Sequence, residues 1–462
     1  MVLSFPVGFW AFVMPSFALS YIKADLGDPL DSIWVIIAQN VVQAVAITVL
    51  GRLSDLFGRR WFQIGDGMVG LAGYITASRA PDMNSLIGAN ILIGVGSAVQ
   101  IQCSVVGGEL LQNKHRFLYN SFTVLVFAPI SAISPGIGES FLCRSAAGWR
   151  AVYYLLAAVT ATAQVLFLFC YHPPKFNQLH TRHSKMHFIK SFDYVGLLLF
   201  CAGGVLFLMG VSWPEISLAW HSAKVIATLT VGGVTFITFV LWEYYADPAV
   251  PVFPLKLFKS RNFVCILFCS AMGAMLFYAL SITYPEETVL LYRQPENKSG
   301  WYASSMTAGV LAGQCTAGLT IKLFGHIRWQ VIASCVLFTT FCGANAASVS
   351  VSAAALFSAL AGYHMEVATV SGAPLMVDPK DFGIAIGALY SSRVFFSACA
   401  SAIFVSILNN KIHSNMVLRM EEQDLANARA SASDDDVLGR RRCPEENLLQ
   451  QDEEIFAPLP YK

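Results

Sequence analysis

From Phe5 to Leu408 the chain is a succession of apolar runs, each roughly 20 residues long, parted by short polar breaks. A bilayer's hydrocarbon core is about 30 Å thick, and a helix needs roughly 20 apolar residues to cross it. Runs are expected near 5–22, 32–51, 62–78, 85–106, 117–141, 150–171, 193–212, 223–242, 263–284, 301–320, 328–346, 352–376 and 383–408. That makes about thirteen spans in an all-α membrane protein. Composition agrees: 55% of residues are hydrophobic and 13% are charged, where soluble domains carry about 25% charged.

With the start of the chain in the cytoplasm, the inside loops hold Arg52, Arg59, Arg60, Lys114, Arg116, Lys256, Lys259 and Arg261, with further Lys and Arg in 175–190. The outside loops and their borders hold about half as many basic residues, as the positive-inside rule requires. Asn297-Lys298-Ser299, a glycosylation acceptor triplet, falls in a loop assigned outside. Four units follow: 1–171, a six-helix N-terminal half; 172–262, a basic linker and two extra spans; 263–408, a C-terminal half; and 409–462, a polar tail expected to be disordered. The linker's His172, His180, His183 and His187 are irregularly spaced, so a solvated basic segment is expected and a metal site is the alternative. The cysteines show no zinc-ligand spacing; Cys265 and Cys269 are expected as small buried apolar side chains. No metal, no cofactor and no enzyme activity are expected, since no nucleophile–base cluster appears. A net charge of +1 points to no nucleic-acid partner.

The break Gly51-Arg-Leu-Ser-Asp-Leu-Phe-Gly-Arg-Arg-Trp-Phe-Gln63 returns in part as Gly318-Leu-Thr-Ile-Lys-Leu-Phe-Gly-His-Ile-Arg-Trp-Gln330. Two halves carrying one loop at matching places suggest parallel repeats that rock about a central site. The first copy, with Gly51, Asp55, Gly58, Arg59 and Arg60, resembles the signature loop of the major facilitator superfamily. The resemblance implies a helix bundle in two pseudo-symmetric halves, latched on the cytoplasmic side by Asp55 against the helix starting near Gly383. Ser134-Pro135-Gly136-Ile137-Gly138-Glu139, with Pro129 upstream, is similar to the proline-glycine motif of drug–proton antiporters; Ser134 and Glu139 stand where glycines are usual.

Gly108-Glu109-Leu110, Trp149-Arg150, Tyr171-His172-Pro173-Pro174, Asp193-Tyr194-Val195-Gly196, Phe253-Pro254-Leu255-Lys256-Leu257-Phe258 and Gly362-Tyr363-His364-Met365-Glu366 follow in order. Together they resemble the fungal trichothecene efflux pump family, a fourteen-span group related to siderophore-iron transporters. The resemblance implies a monomeric, proton-coupled exporter of small organic metabolites such as mycotoxins, with siderophore uptake as the alternative. It also implies a chain shortened at both ends, hence a third reading as a truncated, non-transporting membrane protein. The plasma membrane is expected, with a vacuolar or vesicle membrane as the other placement; the partners are substrate, protons and lipid.

Glu366, mid-span beside His364, is the candidate proton-coupling carboxyl, or else a structural hydrogen-bonding group. Arg393 is its candidate counter-charge. Asp66 and Glu109 are expected to anchor cytoplasmic helix ends. Asn90 stands where many antiporters carry a buried arginine, so coupling through that arginine is absent. Gln39, Asn40, Gln43, Gln100, Gln102, Gln164 and Gln314 are the amides expected to meet an oxygenated substrate, or else to join helices.

Overall fold

A computed structural model gives the fold and describes residues 4–27, 34–101, 116–145, 147–171, 192–212, 221–246, 260–290, 298–348, 350–367 and 387–401, with a few single neighbours. Each expected span carries a helix. These are α1 (Ser4–Leu26), α2 (Trp34–Phe57), α3 (Arg59–Ser78), α4 (Met83–Ile101), α5 (Arg116–Ala132), α6 (Ser134–Arg144) and α7 (Arg150–Cys170). Then come α8 (Tyr194–Ser212), α9 (Ala223–Ala246), α10 (Arg261–Leu290), α11 (Ser299–Phe324), α12 (Ile327–Ala346) and α13 (Val351–Val367), with α14 at 387–401. The linker 172–191, the stretch 368–384 and the tail from 405 lie outside the described residues, as do Gln102 and Glu109.

Seven described helices are long and apolar enough to cross a bilayer. Three more described stretches, Pro6–Leu19, Met83–Ala98 and Val351–His364, are apolar but shorter. On α3 the buried stripe is Gln63, Ile64, Asp66, Gly67, Gly70, Gly73, Tyr74, Ala77 and Ser78, while Trp61, Met68 and Ile75 are exposed. That is the pattern of a helix whose outward face meets lipid and whose close neighbours demand small residues. On α9, Ile226, Val234 and Ile237 are exposed, and on α12 so are Trp329, Ile332 and Val336. Water would solvate such faces poorly. Cys265 and Cys335 are exposed as well, so the expectation that Cys265 is buried is corrected: in lipid, an outward thiol costs little.

The N-terminal core forms where α1, α3, α4 and α7 meet, around Trp10, Met14, Ile22, Tyr74, Leu86, Ile93, Trp149, Tyr153 and Leu156. On the C-terminal side α11 packs on α13, and α13 on α12. The extra pair α8–α9 leans on α2 through Phe200, Phe239 and Val45, and reaches α14 through Phe207 and Phe236 stacked on Phe395.

Three seams join the first seven helices to the last five. Along the first, α5 and α6 pack on α11. In the second, Phe9 of α1 stacks on Phe277 of α10, and Phe12 meets Tyr278 with tilted rings. In the third, the Thr48 hydroxyl of α2 donates to Ser391 Oγ of α14. By the positive-inside rule the end carrying Arg59, Arg60 and Arg261 is expected inside, and is called the inner end below. At the outer end Asp25 ties α1 to α7: Trp149 Nε1 donates to its Oδ2 at 2.9 Å and Arg150 Nη1 at 2.8 Å. Arg150 Nη2 then donates to Ala80 O at 3.2 Å.

Candidate functional site

The joint between α2 and α3, where the latch was expected, is tighter than its sequence suggests. The expected loop at 52–61 reduces to one joint residue, because α2 continues to Phe57 and α3 begins at Arg59. Helix hydrogen bonding persists past the apolar run: Gly58 N donates to Ser54 O at 3.0 Å, and Ser54 Oγ to Gly51 O at 2.8 Å. Gly58 turns the chain at φ 103, a conformation that side-chain-bearing residues resist. Arg60 Nη2 donates to Leu168 O of α7 at 3.0 Å, tying α3 to α7 at this end. Gly51 is buried within α2, and Asp55 occupies its last turn. The side chains of Asp55 and Lys322, and all of Gly383, lie outside the described residues.

The proline-glycine span breaks at Ile133, between α5, which contains Pro129, and α6, whose first turn holds Pro135. Trp10 Nε1 donates to Ser131 Oγ at 2.9 Å beside the break. Gly136 is needed for approach: a Cβ there would lie 2.7 Å from the Trp301 ring. Its N–H donates to Ser304 Oγ at 3.2 Å. Gly138 is under no such demand, since a Cβ would sit 3.7 Å from Met14. Glu139 is 3% exposed. Its Oε1 accepts from Ser299 Oγ at 3.1 Å and from Gly300 N at 3.2 Å. Sequence reasoning flagged Glu139 only as a departure from the motif; its partners are 160 residues away.

Most of the candidate amides lie buried along the contacts of α4 with α2, α4 with α3, and α3 with α7. Gln39, Asn40, Gln43 and Gln100 are each 1% exposed. Gln43 Nε2 donates to Ser97 Oγ at 2.9 Å. Gly94 lets α4 reach the Gln39 carbonyl, which a Cβ would meet at 2.7 Å. Gln100 lies against Gly70, and Gln164 against Gly67. Gln39 Nε2, both polar atoms of Asn40 and of Gln164, Gln43 Oε1 and Gln100 Oε1 are buried without a hydrogen-bond partner. Buried polar atoms of this kind cost about 1–3 kcal/mol each unless something pairs with them. Gln314 stands apart on α11, half-buried, and its carbonyl accepts from Ser121 Oγ of α5 at 3.1 Å.

Asp66, expected to anchor a helix end, lies two turns inside α3, 7% exposed, on the same buried stripe as Gly67 and Gly70. Asn90 Nδ2 donates back to Leu86 O at 2.9 Å within its own helix. Glu366 falls in the last turn of α13, and its side chain lies outside the described residues. Beside it His364 stacks on Phe341 of α12, and Thr316 Oγ1 of α11 donates to the Tyr363 hydroxyl at 2.9 Å. Arg393 Nη1 donates to Ser270 Oγ of α10 at 2.9 Å, so that side chain is directed at α10.

A family model described as the fungal trichothecene efflux pump (TRI12) matches residues 3–430. A trichothecene efflux pump of Fusarium sporotrichioides is 31% identical over 408 residues, covering 85% of this chain and 67% of that protein. The MFS-type transporter prx5 of Penicillium rubens is 25% identical over 431 residues, covering 89% of this chain and 75% of that protein. Among solved structures, the human organic anion transporter MFSD10 (TETRAN) aligns over 88% of this chain and 92% of its own, with TM-score 0.58 at 14% identity. At that identity the likeness speaks for the fold, which is the major facilitator bundle. The chain belongs to the fungal trichothecene efflux pump family, a branch of the membrane transporters of the major facilitator superfamily.

Proposed function

We propose that the chain exports small oxygenated metabolites of the sesquiterpenoid toxin class across the plasma membrane, as a monomer, in exchange for protons. The observation that carries this reading is the family match across residues 3–430. The buried, unpartnered amides of Gln39, Asn40, Gln43 and Gln100 support it, because ether, hydroxyl or ester oxygens would accept from Gln39 Nε2 and Asn40 Nδ2, and hydroxyls would donate to the Oε1 atoms of Gln43 and Gln100. In alternating access the two groups of helices rock across the three seams, with the Asp55 loop as inner latch. Glu366 carries the proton in this scheme, since an ionisable side chain within a span is costly unless it works.

Expression in a yeast lacking its own drug pumps tests the proposal. Resistance to a trichothecene, with lower cell-associated toxin, is the expected result. Unchanged toxin sensitivity, while a trichothecene pump from the same family protects, overturns export. Growth rescue by a supplied ferric siderophore in that strain replaces export with uptake. Glu366→Gln is expected to abolish accumulation against a gradient while leaving binding intact.

A further inference from the structure

We infer that Glu139 is an acidic clamp at the outer end of the transport path: carried by α6, it holds the first turn of α11, and the path opens outward only when it lets go. This rests on the alternating-access reading above. A helix N-terminus leaves its first amides unpaired and carries partial positive charge. α11 has no acidic residue in its own first turn. The carboxylate comes instead from across the seam, accepting from the Ser299 hydroxyl and the Gly300 amide.

The exchange is mutual. Near the start of α6 the Gly136 N–H is satisfied by Ser304 of α11, whose hydroxyl in turn donates to Gly300 O at 2.8 Å. Two helix starts, one from each side of the seam, therefore complete each other. Glycines make this possible: a Cβ at Gly300 would fall 2.8 Å from Pro135 O and 3.2 Å from Glu139 Oε2.

The clamp belongs to one end. Toward the inner end, the described part of the same seam has Ser121 donating to Gln314 O and Val124 and Phe127 against Leu311. α11 contributes Ser299 and Gly300 to Glu139, with Lys298 exposed just ahead of them; along α6 the Trp301 ring lies beside Gly136, and Met14 of α1 beside Gly138. A carboxylate in that setting is stable either on the α11 amides or in water, and poorly between. Such a contact gives two discrete states rather than a gradual slide.

The test uses the full chain, purified in nanodiscs, so that it does not depend on transport. Amide hydrogen exchange is followed in a peptide covering 298–306 and in one covering 319–326 of the same helix. Glu139→Gln keeps shape and removes charge, and is expected to speed exchange at Gly300 and Trp301 roughly ten-fold, the scale of a lost charge-assisted hydrogen bond, with the inner peptide unchanged. In cells, an impermeant maleimide added outside is expected to label Met14→Cys several-fold faster when Glu139→Gln is also present, against the same chain without Met14→Cys. Unchanged exchange and labelling overturn the clamp, as does exchange raised equally along all of α11, which marks general loosening. A wild-type chain that confers no resistance yet shows this exchange pattern sinks the export reading and leaves the contact standing.

Discussion

Gly96→Ala places one methyl group where the structure has no room for it. A Cβ at Gly96 would lie 2.3 Å from Gly70 Cα, 2.6 Å from Gly70 N and 3.1 Å from Asp66 O. All three are backbone atoms of α3, so no side chain can swing aside. Carbon atoms rest about 3.5–4.0 Å apart, so α3 and α4 must separate by about 1 Å or more. The same line of contact continues one turn outward, where Gly73 leaves only 2.9 Å to Ile93 N and 3.0 Å to Ala89 O. Separation at Gly96 therefore loosens the whole crossing and disturbs the amides of Gln100 and Gln164 beside it. Overpacking of this sort costs about 1–3 kcal/mol. The control is Gly88→Ala on the same helix, where a Cβ meets nothing within 4 Å. Thermal loss of the monodisperse peak in size-exclusion chromatography, at one heating rate, reads the difference. Gly96→Ala should lower the midpoint by roughly 1–3 °C, and Gly88→Ala should leave it unchanged or raised. Equal midpoints for the two variants, or a fall in Gly88→Ala alone, would refute the argument from contact distance.

At the outer end, the Trp149 indole and then the Arg150 guanidinium hold the Asp25 carboxyl below the usual carboxylate range. A lowered folded value means stabilisation present above the unfolded pKa of about 3.9 and lost as pH falls through the folded value. Because Asp25 is exposed, Asp25→Asn should cost about 1 kcal/mol or less at pH 7, and melting curves of variant and wild type should converge in strong acid. In the proline-glycine span, Gly136→Ala should depress both stability and toxin resistance, whereas Gly138→Ala, which meets only ordinary contact with Met14, should be tolerated in the same resistance assay. Asp55→Asn should slow toxin efflux while leaving the chromatographic profile intact; full efflux would remove the latch role from that residue.

Much of the fold was legible in the sequence. A run such as 223–242 can do little else in a bilayer than form a helix, because no water reaches its backbone there. The loop at Gly51–Arg60 named the superfamily before any coordinate did, and Gly58 indeed makes a turn suited to glycine. Less legible were the ends: α2 outlasts its apolar run by two turns, since a helix once begun continues into water. Less legible, too, was which way Asp66 turns: its place near a predicted span end said nothing of the face of α3, on whose buried stripe it lies.

The sequence by itself determined the solvent, the all-helical class and the family. Tertiary structure alone decided which face of each helix turns inward and what its polar groups meet. Lipid solvates Ile75 as readily as a protein core would, so apolarity cannot sort the faces of a span as it does in water. The sorting falls to close approach, as at Gly70 on Gly96, and to hydrogen bonds between distant positions, as from Ser299 and Gly300 to Glu139. Those pairings exist only once the helices have assembled.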